Sequence, residues 1–459
     1  MPLSQGSVHH RARGGFRAMA IVMFSALALV AAACGDDTTG AADDPVDETS
    51  TTTTQADDTA DSASEETTTT GAADEPAVLT ASFRGVTETE IKLGIVIIDV
   101  SVIGRSNGDV EGQWNAVINE VNDAGGVLGR NLVPVFAKYS PLGDVESEAA
   151  CVKHTQDEMV FAGVGPLRSS VLCYTDINDT AFVNTFGVGQ EEYDGSKAVL
   201  IGPGALPARN SEINVSALQA EGLLDGPVAL HASVGSTGER EIWASALGDA
   251  GVDVVSQTQS TVENDIVASE QEMSAFAQVW SSDGAEIVLG VGAGSGLDVI
   301  AGLDGGNFEP SVIVTNGSDL DPELYRNLGY STDKLAGAHA LGFETFGDLA
   351  ARGEEKVAAC IARAEAATGE TINIDPQGDE AVNLNTTIWA CQGIEIFTQI
   401  ATAAGPVLTN ESFLDAAETF GELDVTAMTA SISAGKFDVG DGAPLILAFD
   451  AAADDFVAA

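Results

Sequence analysis

The stretch GPLRSS, from Gly165 to Ser170, contains the residues best suited to bind a ligand. It follows an apolar run typical of a strand and leads into a segment typical of a helix. Because a helix N-terminus presents free N–H groups and positive partial charge, Ser169 and Ser170 could hold a carboxylate there. Arg168 could pair with an anionic group. The alternatives are that the serines only cap the helix and that the arginine is an ordinary exposed side chain.

Acidic and glycine-rich segments offer further chemistry, but they do not indicate catalysis. Asp99 and Asp319 could each hold an ammonium group, or they could be solvated loop acids. In GVGAGSG, Ser295 stands where a dinucleotide fingerprint needs its third glycine. The same stretch lacks the glycines of a nucleophile elbow. No cysteine pair has the CxxC spacing of a zinc or redox site. Taken together, these patterns lead us to expect no catalytic residue, metal or cofactor.

A single cysteine marks the end of the apolar N-terminal segment. A short arginine-rich flank precedes small apolar residues from Ala18 to Ala33, a run too short to span a bilayer. This is the pattern of a secretory signal peptide. Cys34 then resembles the lipidated cysteine of bacterial lipoproteins, although Ala31 stands where that pattern prefers leucine. We expect a signal peptide over 1–33 and a lipid anchor on Cys34; an ordinary signal peptide cut elsewhere is the alternative.

Residues 34–83 are expected to form a disordered tether. From Gly35 to Ala77 the segment is dominated by Thr, Ser, Ala, Gly, Asp and Glu, and it has no Lys, Arg or aromatic residue. Such a composition buries too little apolar surface to offset chain entropy. Repulsion between its charges extends the segment, so it would hold a folded part away from a membrane.

Charge and cysteine content narrow the class of protein. The formal charge is −51, which argues against nucleic-acid binding because that requires basic patches. Export would place the chain where disulfides form. The cysteines other than Cys34 form a set of four, which allows three pairings. We predict Cys151–Cys173 and Cys360–Cys391, because each pair is close in sequence and each member lies in a helix-like run.

The rest of the chain alternates between strand and helix patterns. Ile91–Ile98 is a short β-branched run typical of a buried parallel strand. The next segment places Val110, Trp114 and Val117 on one helical face. The following strand contains Pro134, which predicts an edge position. After a break near Gly202 the alternation restarts, so we expect two α/β domains with parallel sheets.

Three stretches resemble a known family. They are GVTETEIKLGIVI (Gly85–Ile97), VNDAGGVLGRNLVPV (Val121–Val135) and CVKHTQDEMVFAGVGP (Cys151–Pro166). They are similar to type I periplasmic binding proteins of the branched-chain amino acid group, which are the solute receptors of ABC importers. With LTNESFLDAAETF near the C-terminus, the resemblance covers Gly85 to Asp450.

The resemblance implies a two-lobed "Venus flytrap", each lobe a parallel-sheet α/β sandwich, with three hinge crossings. The crossings are expected near Pro203–Arg209, His339–Phe343 and Gly435–Gly442. Lobe one would then comprise 84–206 and 342–434, and lobe two 207–341 and 435–459.

Ligands of open parallel sheets bind outside the carboxyl ends of the strands, and this rule selects the candidate binding residues. They are Asp99, Arg105, Leu167, Arg168, Ser169, Ser170, Phe186 and Gly187 in lobe one, and Ser236, Thr237, Gly294, Ser295, Asn316 and Asp319 in lobe two. In the family a serine-rich turn at the place of Ser169 and Ser170 contacts the ligand carboxylate. The acid that holds an α-ammonium group in amino-acid binders is missing from GAGSG, and Asp298 comes only later. In the other lobe-two loop, GSTG replaces an expected aromatic residue.

The resemblance implies a lipid-anchored, extracytoplasmic, monomeric receptor. It would capture a small polar solute (an amino acid, an amide or a small carboxylate) and deliver it to an ABC permease and its ATPase. A lipoprotein of the same fold that senses a ligand and signals to a membrane partner is the alternative. An anchored hydrolase would need a nucleophile–base pair, which the sequence does not indicate.

Overall fold

The computed structural model describes residues 79–103, 105–262, 266–315, 322–374 and 382–458. The expected signal peptide, Cys34 and nearly all of the expected tether lie outside these residues, as do Asn316 and Asp319. The described residues belong to one compact unit.

The chain first builds a parallel five-stranded sheet in the order β2-β1-β3-β4-β5. The strands are β1 (Glu90–Ile98), β2 (Asn131–Tyr139), β3 (Ala162–Gly165), β4 (Ala181–Asn184) and β5 (Leu200–Ile201). The helices between them are α1 (Val110–Asp123), α2 (Val145–Val152) and α3 (Gln190–Gly195). Wide π-type turns cover Lys153–Asp157 and Cys173–Ile177. Strand β2 lies at the edge and pairs with β1, as Pro134 predicted, because proline cannot donate to a second neighbour.

The first α/β unit confirms the sequence pattern in detail. The predicted face of α1 is buried through Val110, Trp114 and Val117. Gly126, in the stretch GGVLGR, has φ +67°, and a side chain there would collide with the carbonyl of Arg130. Glycine is therefore required at this position for the tight return from α1 into β2.

A second sheet follows, with β6 (Val228–Ala232), β7 (Val254–Gln259), β8 (Ile287–Val291), β9 (Ser311–Val314) and β10 (His339–Gly342) all parallel. Its helices are α4 (Pro207–Ala220), α5 (Thr237–Asp249), α6 (Ile266–Ser282), α7 (Ser295–Leu303) and α8 (Pro322–Asn327). The chain then returns to pack on the first sheet through α9 (Phe346–Arg352), α10 (Glu355–Thr368), α11 (Val382–Ala403), α12 (Asn410–Thr419) and the hairpin β11 (Gly421–Val425) and β12 (Met428–Ile432). Finally β13 (Leu445–Asp450) and β14 (Asp455–Ala458) extend the second sheet as antiparallel strands.

The two sheets define two lobes, each with its own apolar core. In lobe one, the Phe161 ring meets Phe397 and Phe413 edge to face, and the rings of Phe397 and Phe413 stack on each other. The ring centroids are 5.7–6.1 Å apart. In lobe two the sheet has an apolar cluster on each face. Both predicted disulfides are present in lobe one, with Cα atoms 6.2 Å and 6.4 Å apart. Each is expected to stabilise the fold by about 3 kcal/mol through restriction of the unfolded chain.

Three crossings connect the lobes, after β5, after β10 and between β12 and β13. Strands β5 and β10 both leave their sheets at the carboxyl end, so the carboxyl edges of both sheets face the crossings. Arg209, at the start of α4, ties the first crossing to the third. Its Nε and Nη1 lie 2.8 Å from carboxylate oxygens of Asp438 and Asp441.

Candidate ligand-binding cleft

Two buried side chains fix the loops at the carboxyl edge of lobe one. Asn184, at the end of β4, accepts from the N–H groups of Leu167 and Phe186 at 3.2 Å and 2.9 Å, and donates to the Leu167 carbonyl at 2.8 Å. Tyr139, at the end of β2, donates to the Pro166 carbonyl at 2.8 Å and accepts from the Arg168 N–H at 3.1 Å. Burial raises the pKa of Tyr139, so its hydroxyl remains a donor. The backbone on either side of Arg168 is therefore held in place.

An arginine and two aromatic rings form an exposed surface on these loops. The Arg168 guanidinium carbon lies 5.2 Å from the Phe186 ring centroid, within cation–π range. The Phe186 ring meets Trp389 edge to face at 5.9 Å and 76°. Phe186 is 40% exposed although it is a large apolar residue. We call Arg168, Phe186 and Trp389 the aromatic shelf.

The serines of GPLRSS lie beside the shelf. The hydroxyls of Ser169 and Ser170 lie 3.2 Å and 2.9 Å from the buried hydroxyl of Ser147 on α2. Ser170 has φ +63°, which is unusual for a residue other than glycine. Their contact with a ligand remains a proposal.

The loop after β1 encloses a depression of about 520 Å³. Asp99 and Arg105 line it together with Asn107, Asp109 and Lys138. Asp99 accepts from the Ser101 N–H at 2.9 Å, and hydrogen bonds from Ser101 hold the pKa of Asp99 below its usual value. Asp99 is thus ionised at neutral pH.

The carboxyl edge of lobe two is built from small residues that bond to each other. The hydroxyls of Ser233 and Ser236 lie 3.1 Å apart, and Gln259 donates to Thr237 at 2.7 Å. Gly292 has φ +85°, and a side chain there would collide with Ser236. Gly292 of GAGSG therefore has a steric cause, whereas the space beside Gly294 is open.

Asp298 belongs to a buried cluster instead of that loop. Its carboxylate accepts from the Ser260 hydroxyl at 2.6 Å and lies 3.4 Å from Nε2 of the fully buried His231. The other ring nitrogen of His231 lies 3.0 Å from the Thr258 hydroxyl. A catalytic relay needs serine on one imidazole nitrogen and the acid on the other. Ser260 and Asp298 both approach Nε2, so this Ser–His–Asp set is not a nucleophilic triad.

The candidate residues fall into groups with different exposure. Arg105, Arg168, Phe186, Gly187 and Thr237 are exposed, and Asp99, Ser169, Ser170, Ser236 and Gly294 are partly exposed. Leu167 and Ser295 are 1% and 0% exposed, so their side chains lie inside the lobes. Sequence reasoning missed Trp389, Asn184 and Tyr139. Trp389 belongs to the shelf only because α11 returns to lobe one from far along the chain.

The described residues offer neither a metal-binding cluster nor a membrane-spanning helix. No group of three or more His, Cys, Asp or Glu side chains among them is arranged to hold a metal ion. Within that same part of the chain, no helix has the length and apolar character to cross a bilayer.

Comparison with known proteins identifies the fold. The sequence matches no protein-family model and no curated protein. A structure assigned to branched-chain amino acid ABC transport in Rhodospirillum rubrum superposes with TM-score 0.55 at 15% identity, over 81% of this chain and 99% of that one. Two structures of an ABC transporter substrate-binding protein from Desulfitobacterium hafniense, one of them with leucine bound, give TM-scores of 0.51 and 0.52 at 10% identity, over 81% of this chain and 100% of theirs. The chain therefore has the two-lobed type I periplasmic binding protein fold that the sequence resemblance predicted.

Proposed function

We propose that this protein is a solute-binding receptor that closes its two lobes on a small ligand. The observation that carries the proposal is the aromatic shelf, an exposed arginine and phenylalanine on a rigidly held backbone at the carboxyl edge of lobe one. Exposed aromatic surface beside fixed polar groups is typical of a ligand site. The structural neighbours are substrate-binding proteins, which supports a binding role over an enzymatic one.

Closure would follow from the position of the crossings. Both carboxyl edges face them, so a ligand on the shelf lies on the side where the lobes approach each other. Contacts with both lobes would favour the closed state, because a ligand shifts the equilibrium by its differential affinity for the two states. The candidate contacts are Asp99, Arg105, Arg168, Ser169, Ser170, Phe186 and Gly187 from lobe one and Ser236, Thr237 and Gly294 from lobe two.

Export and partners belong to the same proposal. Two disulfides within lobe one suit an oxidising compartment outside the cytoplasm. Together with the signal pattern, they support a monomeric receptor anchored through lipid on Cys34. The neighbours' transport roles support an ABC permease and its ATPase as the partners that take the ligand from the closed form.

Thermal unfolding of the purified full chain tests the binding role. The panel would contain branched-chain amino acids, amides, small carboxylates and polyamines. A ligand at a hundredfold excess over its Kd stabilises the folded state by roughly 2.7 kcal/mol, which raises the midpoint by several degrees. We expect one chemical class to produce this shift. A folded protein whose midpoint no class raises would contradict the proposal.

A further inference from the structure

Three arginines differ from all other basic side chains in the described part of the chain. Every other lysine and arginine there donates to a carboxylate or to a backbone carbonyl. The guanidinium groups of Arg105, Arg168 and Arg240 have no such acceptor among the described residues. The Arg168 guanidinium lies over the Phe186 ring.

The acidic composition makes the lack of a carboxylate partner at these three arginines notable. The protein has 70 acidic and 19 basic residues, so carboxylates are abundant around any basic side chain. Arginines far from the cleft do pair; Arg326, for example, lies 2.7 Å from Asp454. Arg105, Arg168 and Arg240 stay unpaired although acids are near, since Asp99, Asp109 and Glu111 line the same depression as Arg105.

All three arginines lie at the carboxyl edges of the two sheets. Arg105 follows β1, and Arg168 follows β3. Arg240 lies in the first turn of α5, directly after β6 in lobe two, where its N–H donates to the Ser236 carbonyl at 3.0 Å. These are the edges that face the crossings, so the unpaired positive charges of both lobes lie on the side where the lobes close.

Arg240 has a feature that points to a missing acceptor. Its Nε is shielded from solvent and has no hydrogen-bond partner. A shielded donor without an acceptor is unfavourable, and an anion entering between the lobes would satisfy it. The neighbouring Glu239 does not supply the acceptor, and desolvation raises the pKa of Glu239.

Of the acids at these edges, Asp298 is bonded inside lobe two, whereas Asp99 remains partly exposed. Asp99 accepts from the Ser101 N–H, and Asp298 accepts from Ser260 beside His231. An α-amino acid needs a carboxylate for its ammonium group, since an unpaired buried charge is costly. Asp99 keeps room for an ammonium group in the depression after β1, whereas the unpaired Arg168 and Arg240 call for anionic groups on the ligand.

We propose that the ligand is a small dicarboxylate. This inference rests on the proposed receptor function and names its ligand class. One carboxylate pairs with the Arg168 guanidinium while the body of the ligand lies on Phe186 and Trp389. The second carboxylate meets Arg240 when lobe two closes. Arg168 and Arg240, one on each lobe, call for two anionic groups, because a single carboxylate would leave one of these two guanidinium groups unpaired. Arg105 lies in the depression after β1, which acids also line.

Calorimetric titration of the full chain tests this ligand class. The probes are succinate, glutarate and phthalate as dicarboxylates, benzoate as a monocarboxylate, and leucine and acetamide as the competing classes. We expect a dicarboxylate to bind at least tenfold more tightly than benzoate, leucine or acetamide. Arg168→Gln and Arg240→Gln should each weaken that binding roughly tenfold or more, as expected for the loss of a charged hydrogen bond.

Two further variants separate a lost contact from a damaged fold. Arg168→Lys keeps the charge but loses the planar fork, so it should restore binding only in part. Arg326→Gln removes an exposed arginine of lobe two that has a carboxylate partner, and it should leave the affinity unchanged.

The outcomes distinguish the ligand class from the receptor function. Binding of leucine or acetamide, but of no dicarboxylate, overturns the dicarboxylate and leaves the receptor intact. Benzoate binding as tightly as the dicarboxylates, with no effect of Arg240→Gln, overturns the second anionic contact. If no probe binds the folded protein, the dicarboxylate is overturned, and the wider thermal-unfolding panel decides separately whether the receptor function stands.

Discussion

The carboxyl edges of the two lobes use their polar residues in opposite ways. Lobe one presents Arg168 and Phe186 to solvent, on a backbone fixed by Asn184 and Tyr139. Lobe two directs Asp298 inward, onto Ser260 and His231. Side chains without internal partners remain available for a ligand, whereas satisfied ones stabilise the lobe. Under the proposed function, lobe one would receive the solute on the shelf, and lobe two would close over it and add Arg240.

The largest effect is expected from the buried amide that fixes the shelf. Asn184→Leu removes its hydrogen bonds to Leu167 and Phe186 and leaves buried backbone groups unpaired. The free energy of unfolding should fall by about 3 kcal/mol, with loss of ligand binding. Urea denaturation measures the first effect and calorimetry the second. Asn184→Asp retains the acceptor for both N–H groups, so its free energy of unfolding should fall less. A fall of less than about 1 kcal/mol for Asn184→Leu would refute the role of Asn184.

Acid should destabilise lobe one through His154. Burial lowers the pKa of His154 from 6.5 to about 4. The unfolded chain therefore binds the proton first, and the stability from neutral His154 is lost as pH falls from about 6.5 to about 4. The loss reaches about 3 kcal/mol at the lower limit.

The contribution of His154 is separated from other titrations by a difference measurement. Urea denaturation of the protein and of His154→Gln should be compared at pH 7 and pH 4. The substitution should make the pH dependence shallower over this window, because glutamine does not titrate. Equal pH dependence of the two proteins would exclude His154 as the cause.

Asp298→Asn tests whether the lobe-two acid is structural. It weakens the bonds to Ser260 and His231, so the free energy of unfolding should fall by about 1–2 kcal/mol. Ligand affinity should stay within about twofold. If the variant instead loses affinity for an amino acid while its stability is unchanged, Asp298 holds the ligand's ammonium group and the contrast between the lobes fails.

The smallest effect concerns the second ring of the shelf. Trp389→Phe keeps an aromatic side chain, but its smaller ring reduces the edge-to-face contact with Phe186. Ligand affinity should fall about threefold, within the range of aromatic pair energies. Val279→Ala, at an exposed apolar residue of lobe two, serves as the matched control. An equal change in both variants would show that the shelf has no special role.

Local sequence patterns predicted much of lobe one. Neighbouring residues predicted the strand at Ile91–Ile98, the buried face of α1 and the edge strand that contains Pro134. The structure confirms all three. The predicted disulfides also join residues that are close in sequence. These features depend on secondary structure, which nearby residues largely determine.

Local sequence patterns did not predict the contacts between residues far apart in the chain. Trp389 reads as an ordinary core residue of α11, and only the return of that helix to lobe one places it beside Phe186. Asp298 and His231 lie 67 residues apart, so no local motif joins them. The antiparallel strands β13 and β14 were not expected from the alternation of strands and helices. In each case tertiary packing, not local propensity, decides the outcome.

Hydrogen–deuterium exchange on the full chain tests the central claim most directly. Exchange would be compared with and without the solute that most raises the unfolding midpoint. A ligand held between the lobes should slow exchange in 165–170 and 184–188 of lobe one and in 233–237 and 292–296 of lobe two. Protection of both sets would support closure over the shelf. Ligand binding that leaves the lobe-one segments unprotected would contradict the account.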